Sequence, residues 1–235
     1  MDDLPLVSAI LPTFNRSGSH MHGIFLRQSI VSILSQTWPL MEVLIGTELP
    51  EPSPGGTAQT LLEAVRGDPR VKVVVQHANP KTGHGPTDND LHRLARGKYC
   101  TRPLADDEVY STHMVTKLVE ALEARPECVL AYGDFEDIDA NGVVLRERRR
   151  PDYDAALLLR ECYVGICVLY RREAWEQVGG YGRMLAAEDW DMWKRMSALG
   201  PFVHVPEVLG QWRDWPGNLT SDVRRGGIAP GKVYG

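Results

Sequence analysis

The stretch Leu6-Val7-Ser8-Ala9-Ile10-Leu11-Pro12-Thr13-Phe14-Asn15-Arg16 decides how the rest of the chain is read. Leu6 to Leu11 is a compact apolar run rich in branched side chains, and Pro12 closes it, which is the pattern of a buried strand. Beyond it, Ile24, Phe25, Ile30, Ile33 and Leu34 recur at helical spacing until Pro39 stops them. A second strand is expected at Glu42 to Ile45, followed by a loop dense in Pro and Gly and a helix from about Thr57 to Arg66. A third strand at Val71 to Val75 completes an alternation of strand and helix that argues for a parallel sheet covered by helices.

A loop from Asn79 to Pro86 and a helix through Leu94 lead to Lys98-Tyr99-Cys100-Thr101-Arg102-Pro103-Leu104-Ala105-Asp106-Asp107-Glu108, a short strand running into consecutive acids. The helix expected at Ser111 to Ala124 carries Met114, Val115, Leu118, Val119 and Leu122 on one stripe. The second half changes character. Strands are expected at Val129 to Tyr132 and Asp134 to Ile138, and Asn141-Gly142 signals a hairpin into Val143 to Arg146. A helix at Tyr153 to Arg160, a strand at Gly165 to Tyr170 and a helix at Glu173 to Val178, stopped by Gly179-Gly180, follow. A last helix at Glu188 to Ala198 and a strand at Phe202 to Val205 complete the pattern. No repeat or low-complexity linker interrupts the 235 residues, so one domain over 1–235 is expected.

The net charge of -5, from 26 basic and 31 acidic side chains, supplies no field for a polyanion, so nucleic acid is not an expected partner. The run Arg146 to Arg150, with only Glu147 interrupting, could contact an acidic acceptor or a phospholipid surface, but it fits a solvated loop face better and receives no role. Cys100, Cys128, Cys162 and Cys167 include no Cys-x-x-Cys pair and read as reduced thiols. The acidic start Met1-Asp2-Asp3-Leu4-Pro5 is unlike a signal peptide, and no apolar run approaches the ~18 residues of a membrane span. A cytoplasmic location is expected.

In a parallel sheet, ligands bind outside the carboxyl ends of the strands. Those ends deliver Pro12, Thr13, Phe14, Asn15 and Arg16, then Thr47 and Glu48, then Asn79 and Gly83 in the loop after the third strand, then Asp106 and Asp107. Glu188 and Asp189 open the late helix, where its dipole favours ionised carboxylates; that placement suits a cap or a general base. His20 and His22 lack a third ligand, His84 stands in the glycine loop, and His204 alternates with Val203 and Val205 as an ordinary strand residue would.

The order of these motifs resembles the family 2 glycosyltransferases of the GT-A fold. The resemblance rests on Leu11 to Arg16, Ser32-Ile33-Leu34-Ser35-Gln36-Thr37, Glu42-Val43-Leu44-Ile45, Asn89, Ala95-Arg96-Gly97-Lys98-Tyr99 and the aspartate cluster. It continues through Gly179-Gly180-Tyr181, Ala187-Glu188-Asp189-Trp190-Asp191-Met192-Trp193 and Val205 to Arg213. It implies an α/β GT-A fold, Rossmann-like, with a central mostly parallel sheet flanked by helices and a small antiparallel hairpin in the second half. About 1–110 would form a nucleotide-binding half and about 111–235 an acceptor-binding half.

It further implies transfer of a sugar from a nucleotide diphosphate donor, a UDP-sugar by family default, to an acceptor hydroxyl with inversion. Such chemistry needs charge neutralisation on the departing diphosphate and a base for the hydroxyl. By resemblance Asp189 is the base, with Glu188 orienting it or the acceptor, and Trp190 and Trp193 are acceptor-site candidates. Pro12, Thr13, Asn15, Arg16, Thr47, Glu48, Asn89 and Asp106 are donor-binding candidates. Asp107 and Asp106 are candidates for holding Mn or Mg, with the choice between them open. Two departures stand out: Leu104 occupies the place of the family's first acid, and Trp215 stands where some members have a histidine ligand. They motivate the alternative of a catalytically degenerate protein that binds nucleotide sugars or serves as a scaffold. A sugar-phosphate nucleotidyltransferase is disfavoured by Pro12-Thr13-Phe14-Asn15, and a homodimer is compatible with the sequence.

Overall fold

The computed structural model describes residues 4–13, 20–48, 64–65, 67–76, 85–103, 107–183 and 187–216. Its strands are β1 (Val7–Pro12), β2 (Met41–Glu48), β3 (Val71–Gln76), β4 (Tyr99–Thr101), β5 (Glu108–Tyr110), β6 (Leu130–Ile138), β7 (Val144–Arg148), β8 (Val168–Arg171) and β9 (Phe202–Arg213). The helices are α1 (His20–Leu34), α2 (Gly85–His92), α3 (Met114–Glu123), α4 (Ala155–Leu158), α5 (Arg172–Gln177) and α6 (Glu188–Met196). The helix expected from Thr57 is described only at Ala64 and Val65, which are helical.

The sheet order is β3-β2-β1-β4-β8-β6-β9-β5, with β7 on β6. Strands β1, β2, β3, β4, β6 and β9 share one direction, and β5, β7 and β8 run against them. The architecture is the mostly parallel α/β sheet with an antiparallel hairpin that the motif order implies. Alternation along β1 sends Val7, Ala9 and Leu11 to a core shared with α1 and α3, and Ile10 to a core shared with Leu91, Tyr170 and Trp193. Both faces are covered, which is why the strand reads as continuously apolar.

The Ser32 to Thr37 motif performs structural work. Gln36 Nε2 donates to the Ser111 carbonyl at 2.7 Å, and Gln36 Oε1 accepts the Val115 N–H at 2.9 Å. One amide thereby satisfies an unpaired donor in the first turn of α3 and fastens that helix to the end of α1.

Three elements differ from expectation. Residues 130–138 form one strand, because Gly133 lets the chain pass Leu209; a Cβ there would lie 2.6 Å from Leu209 Cδ1. Strand β9 continues past Pro206: its register on β6 moves from Gly133↔Val205 to Asp134↔Val208, so Pro206 and Glu207 sit in a bulge where the missing N–H costs no ladder bond. Glu108 belongs to β5, opposite Trp212, and is only 2% exposed. The third acid of the cluster is therefore a buried strand residue.

Candidate active site

Strand β1 ends with Pro12 opposite Gly46. Thr13 gives both its backbone N–H and its hydroxyl to the Gly46 carbonyl at 2.8 Å, so its side chain ties β1 to β2. Thr47 and Glu48 finish β2 in register with Val75 and Gln76. Their side chains, and residues Phe14, Asn15, Arg16, Asn79, Gly83, His84, Leu104 and Asp106, lie outside the described residues.

Asp107 follows β4 and is held from β9 and just beyond it. Its carbonyl accepts the Arg213 N–H at 2.6 Å, and its Oδ1 accepts the Trp215 indole N–H at 3.0 Å. Trp215 packs edge-on against Phe25 at 5.1 Å, and the Arg213 guanidinium lies 4.3 Å from the same ring. Burial draws the Arg213 pKa below its usual range, against the opposing pull of Asp107. Among the described residues no three His, Cys, Asp or Glu side chains stand together as a metal site. The Asp107 carboxylate is nonetheless a hard oxygen donor of the kind Mg and Mn take when phosphate oxygens supply other ligands.

The second cluster was not foreseen from sequence. Arg102, just after β4, places Nη2 2.6 Å from Asp88 Oδ2 of α2 and 3.1 Å from Glu188 Oε1 of α6, with its guanidinium 5.0 Å from the Tyr181 ring centroid. Asp88 is fully buried, and that burial lifts its pKa to about 7; Arg102 opposes the rise and Glu188 adds to it. Next to it, His92 Nδ1 lies 2.7 Å from the Asp88 carbonyl and Nε2 lies 2.5 Å from the Tyr170 hydroxyl. A carbonyl only accepts, so Nδ1 carries the hydrogen and Nε2 accepts from the tyrosine. Burial holds this ring neutral, with a pKa near 3. Arg102 thus joins the end of β4 to the start of α6.

Helix α6 begins after Ala187, which sits at φ 60 and is the one non-glycine residue with positive φ among the described residues. Left-handed backbone costs an alanine about 1–2 kcal/mol, so the entry into the Glu188-Asp189 turn is strained and held by its surroundings. Asp189 Oδ1 accepts the Trp190 N–H at 2.7 Å. Burial raises the Asp189 pKa, Glu188 raises it further, and Arg102 opposes both. A carboxylate so perturbed is a stronger proton acceptor than a solvated one.

Asp189 lines a cavity of about 330 Å³ together with Arg102, Glu108, Arg150, Cys162 and Trp193. Cys162 on this lining is a free, exposed thiol. The two candidate tryptophans part company. Trp193 lines the cavity, whereas Trp190 donates its indole N–H to the Leu158 carbonyl at 2.7 Å and carries Lys194 over its ring at 4.4 Å. Asn89 spends its whole amide on Tyr181, donating to the carbonyl and accepting from the N–H at 2.8 Å each. It clamps the Gly179-Gly180-Tyr181 turn to α2.

Comparison with known proteins places the chain. The model of glycosyl transferase family 2 matches residues 8–179. The O-antigen biosynthesis protein RfbC of Myxococcus xanthus is 28% identical over 226 residues, covering 95% of this chain and 17% of that protein. The chain spans 24%, 17% and 28% of the lengths of three curated relatives that it matches. Among solved structures, S. aureus TarS 1-349 in complex with UDP-GlcNAc superposes with a TM-score of 0.69 at 13% identity, over 88% of this chain and 58% of that one. The mannosyltransferase PcManGT from Pyrobaculum calidifontis, in complex with GDP-Man and Mn2+, gives 0.64 at 17% identity, over 94% and 61%. The similarity to these structures is one of fold, the GT-A arrangement of sheet and helices. With the family model matched from β1 to the Gly179 turn, the chain belongs to glycosyl transferase family 2.

Proposed function

We propose that the chain transfers a sugar from a nucleotide diphosphate donor to an acceptor hydroxyl by a single inverting displacement, with Asp189 accepting the hydroxyl proton. The observation that carries this reading is the position of Asp189: a half-buried carboxylate of raised pKa on a cavity wall, linked through Glu188 and Arg102 to the end of β4. The strand ends around Pro12, Thr13, Thr47 and Glu48 would take the donor, and Asn15 and Arg16, which follow in sequence, are further candidates. Most of the cavity lining, from Phe135 to Trp212, comes from the later part of the chain, which supports an acceptor half beginning near residue 111.

Asp107, with Asp106, would hold a divalent cation whose chemistry is to neutralise charge on the departing diphosphate. Arg213 beside Asp107 adds a fixed positive charge to that end of the sheet. A uridine donor is the first to test, since TarS is seen with UDP-GlcNAc; the GDP-Man complex of the mannosyltransferase makes guanosine the second. The competing reading, a nucleotide-sugar-binding protein without turnover, draws on Leu104 and on Trp215 bonded to Asp107.

Thermal melting with UDP and GDP, each with and without Mn2+, tests the donor site, since a ligand bound to the native state alone raises its stability. Stabilisation by one diphosphate, together with acceptor-dependent release of that diphosphate from its sugar nucleotide, is the expected result. Stabilisation without release under any acceptor supports the binding protein. No stabilisation by either diphosphate defeats both readings.

A further inference from the structure

The Arg146 to Arg150 run reads in sequence as a solvated face, but the fold uses its arginines unequally. Arg146 and Arg148 both pair with Asp137 Oδ2, at 2.7 and 2.6 Å. Arg149 pairs with Glu147 at 2.6 Å and Asp134 at 3.3 Å. Arg150 makes no ion pair with any described residue. The Asp134 carboxylate reaches only its backbone N–H, at 2.8 Å. Its guanidinium lies 4.5 Å from the Phe135 ring centroid, and its Nε is buried without a hydrogen-bond partner. The ring can sit there because residue 165 is glycine: a Cβ would come within 2.4 Å of Phe135 Cε1.

Arg150 lines the same cavity as Asp189. Other buried polar atoms on residues of that lining also lack partners among the described residues: Trp193 Nε1, Arg102 Nε and Asp137 Oδ1. Folded proteins leave few such atoms, and four of them fall on residues of this one lining. A half-buried cation without a counter-ion is costly: of the three arginines on the lining, Arg102 pairs with Asp88 and Glu188 and Arg148 pairs with Asp137, whereas Arg150 has no ion pair among the described residues. The planar guanidinium, oriented by the aromatic face beneath it, suits a carboxylate or phosphate better than a neutral hydroxyl. The donor diphosphate has a different arginine: Arg213 is the one that feels Asp107, whereas the charges that bear on Arg150 are those of Arg148, Asp137 and Asp134, with the Cys162 thiol close by.

We propose that this cavity binds an acceptor bearing an anionic group, a carboxylate or a phosphate, seated on Arg150, with the hydroxyl to be glycosylated turned towards Asp189. The proposal rests on the transferase reading and names its acceptor class. It predicts that acceptors differing only in that charge are separated by this one residue.

The test titrates the full chain, in the presence of the diphosphate that stabilises it, with glucuronate against glucose and with glycerol 3-phosphate against glycerol. In at least one pair the anionic member should bind about tenfold tighter or better, as a charge-assisted hydrogen bond would give, and the pair that shows it assigns carboxylate or phosphate. Arg150→Gln should abolish the preference, and Arg150→Lys should keep part of it, while the melting shift produced by the diphosphate stays as in the wild type. Melting without ligand verifies that each variant folds, which the absence of an ion pair at Arg150 favours.

Equal binding within both pairs, no binding of either anion, or a preference that survives Arg150→Gln overturns the proposal. So does an Arg150→Gln variant that loses the diphosphate shift, since Arg150 would then serve the donor. If the wild type itself shows no diphosphate shift, the transferase reading fails first, and the two failures are told apart.

Discussion

Arg102→Leu removes the cation that ion-pairs with both Asp88 and Glu188. At an effective dielectric of about 20, Coulomb's law gives about 6 kcal/mol for charges 2.6 Å apart and about 5 kcal/mol at 3.1 Å. Those gross attractions are offset in the wild type by the desolvation of Arg102 itself. Breaking a buried pair by deleting one partner typically costs about 3–5 kcal/mol, and a loss in that range is expected at pH 8. The sign of its pH dependence follows from Asp88. Its folded pKa of about 7 lies above the ordinary 3.8, so between those values the folded state holds a proton that the unfolded state has released. Wild-type stability therefore falls as pH rises through that window.

In the variant, Asp88 loses its counter-ion and its folded pKa moves higher still, so the fall extends to higher pH. Below pH 6 Asp88 is protonated in both proteins and its share of the deficit disappears. Urea unfolding should show the variant's deficit shrinking by about half between pH 8 and pH 5.5. The double variant Asp88→Leu with Arg102→Leu should recover much of the loss at pH 8, because an uncompensated buried acid is the main cost. A deficit equal at both pH values, and unrelieved in the double variant, would refute the electrostatic account and assign the loss to packing of the guanidinium on Tyr181.

Asp189→Asn should lower turnover by about 10²–10⁴-fold while leaving the diphosphate melting shift intact, and loss of that shift would give Asp189 a structural role. Because the Asp189 pKa is raised and the base acts ionised, wild-type turnover should be lost as pH falls through a midpoint above 3.8, measurable in a pH–rate profile. Gly179→Ala and Gly180→Ala share positive φ, at 78 and 76, but an added Cβ meets open space at Gly179 and lies 2.4 Å from Asn89 Oδ1 at Gly180. Unfolding should report about 1–2 kcal/mol for the first and about 2–4 kcal/mol for the second, which also dislodges the Asn89 clamp; equal losses would count against that clamp. Trp215→Phe should cost about 1 kcal/mol and lower the Mn2+ concentration at which the diphosphate stabilises the fold, by releasing Asp107 Oδ1 from the indole; an unchanged Mn2+ requirement would place the cation elsewhere.

What was legible in sequence is what short-range physics writes there. The branched run at β1, the stripe of Met114, Val115, Leu118, Val119 and Leu122, and the Gly179-Gly180 stop each announce an element through periodicity or backbone freedom. The misread segments depend on distant partners: Pro206 looks like a strand terminator until β9 bulges at Pro206 and Glu207 and resumes its pairing with β6, and Glu108 joins a run of acids until Trp212 pairs with it. The Asn89 side chain belonged to a motif that could be named but whose task, fastening Tyr181, depends on a partner 92 residues away.

The sequence by itself determined the alternation that makes a mostly parallel sheet and the carboxylates and tryptophans that mark its family. The tertiary structure alone decided which charges meet. Asp88, Arg102 and Glu188 come from three separate elements, and nothing in their local spacing foretells that one guanidinium will pair with both a buried and a half-buried acid. The same holds along Arg146 to Arg150, where neighbours in sequence differ because Asp137, Asp134 and Glu147 pair with three of the arginines and leave Arg150 to the cavity. Periodicity is a property of the chain. Desolvation and Coulomb interaction at a few ångströms depend on which distant residues the fold brings together.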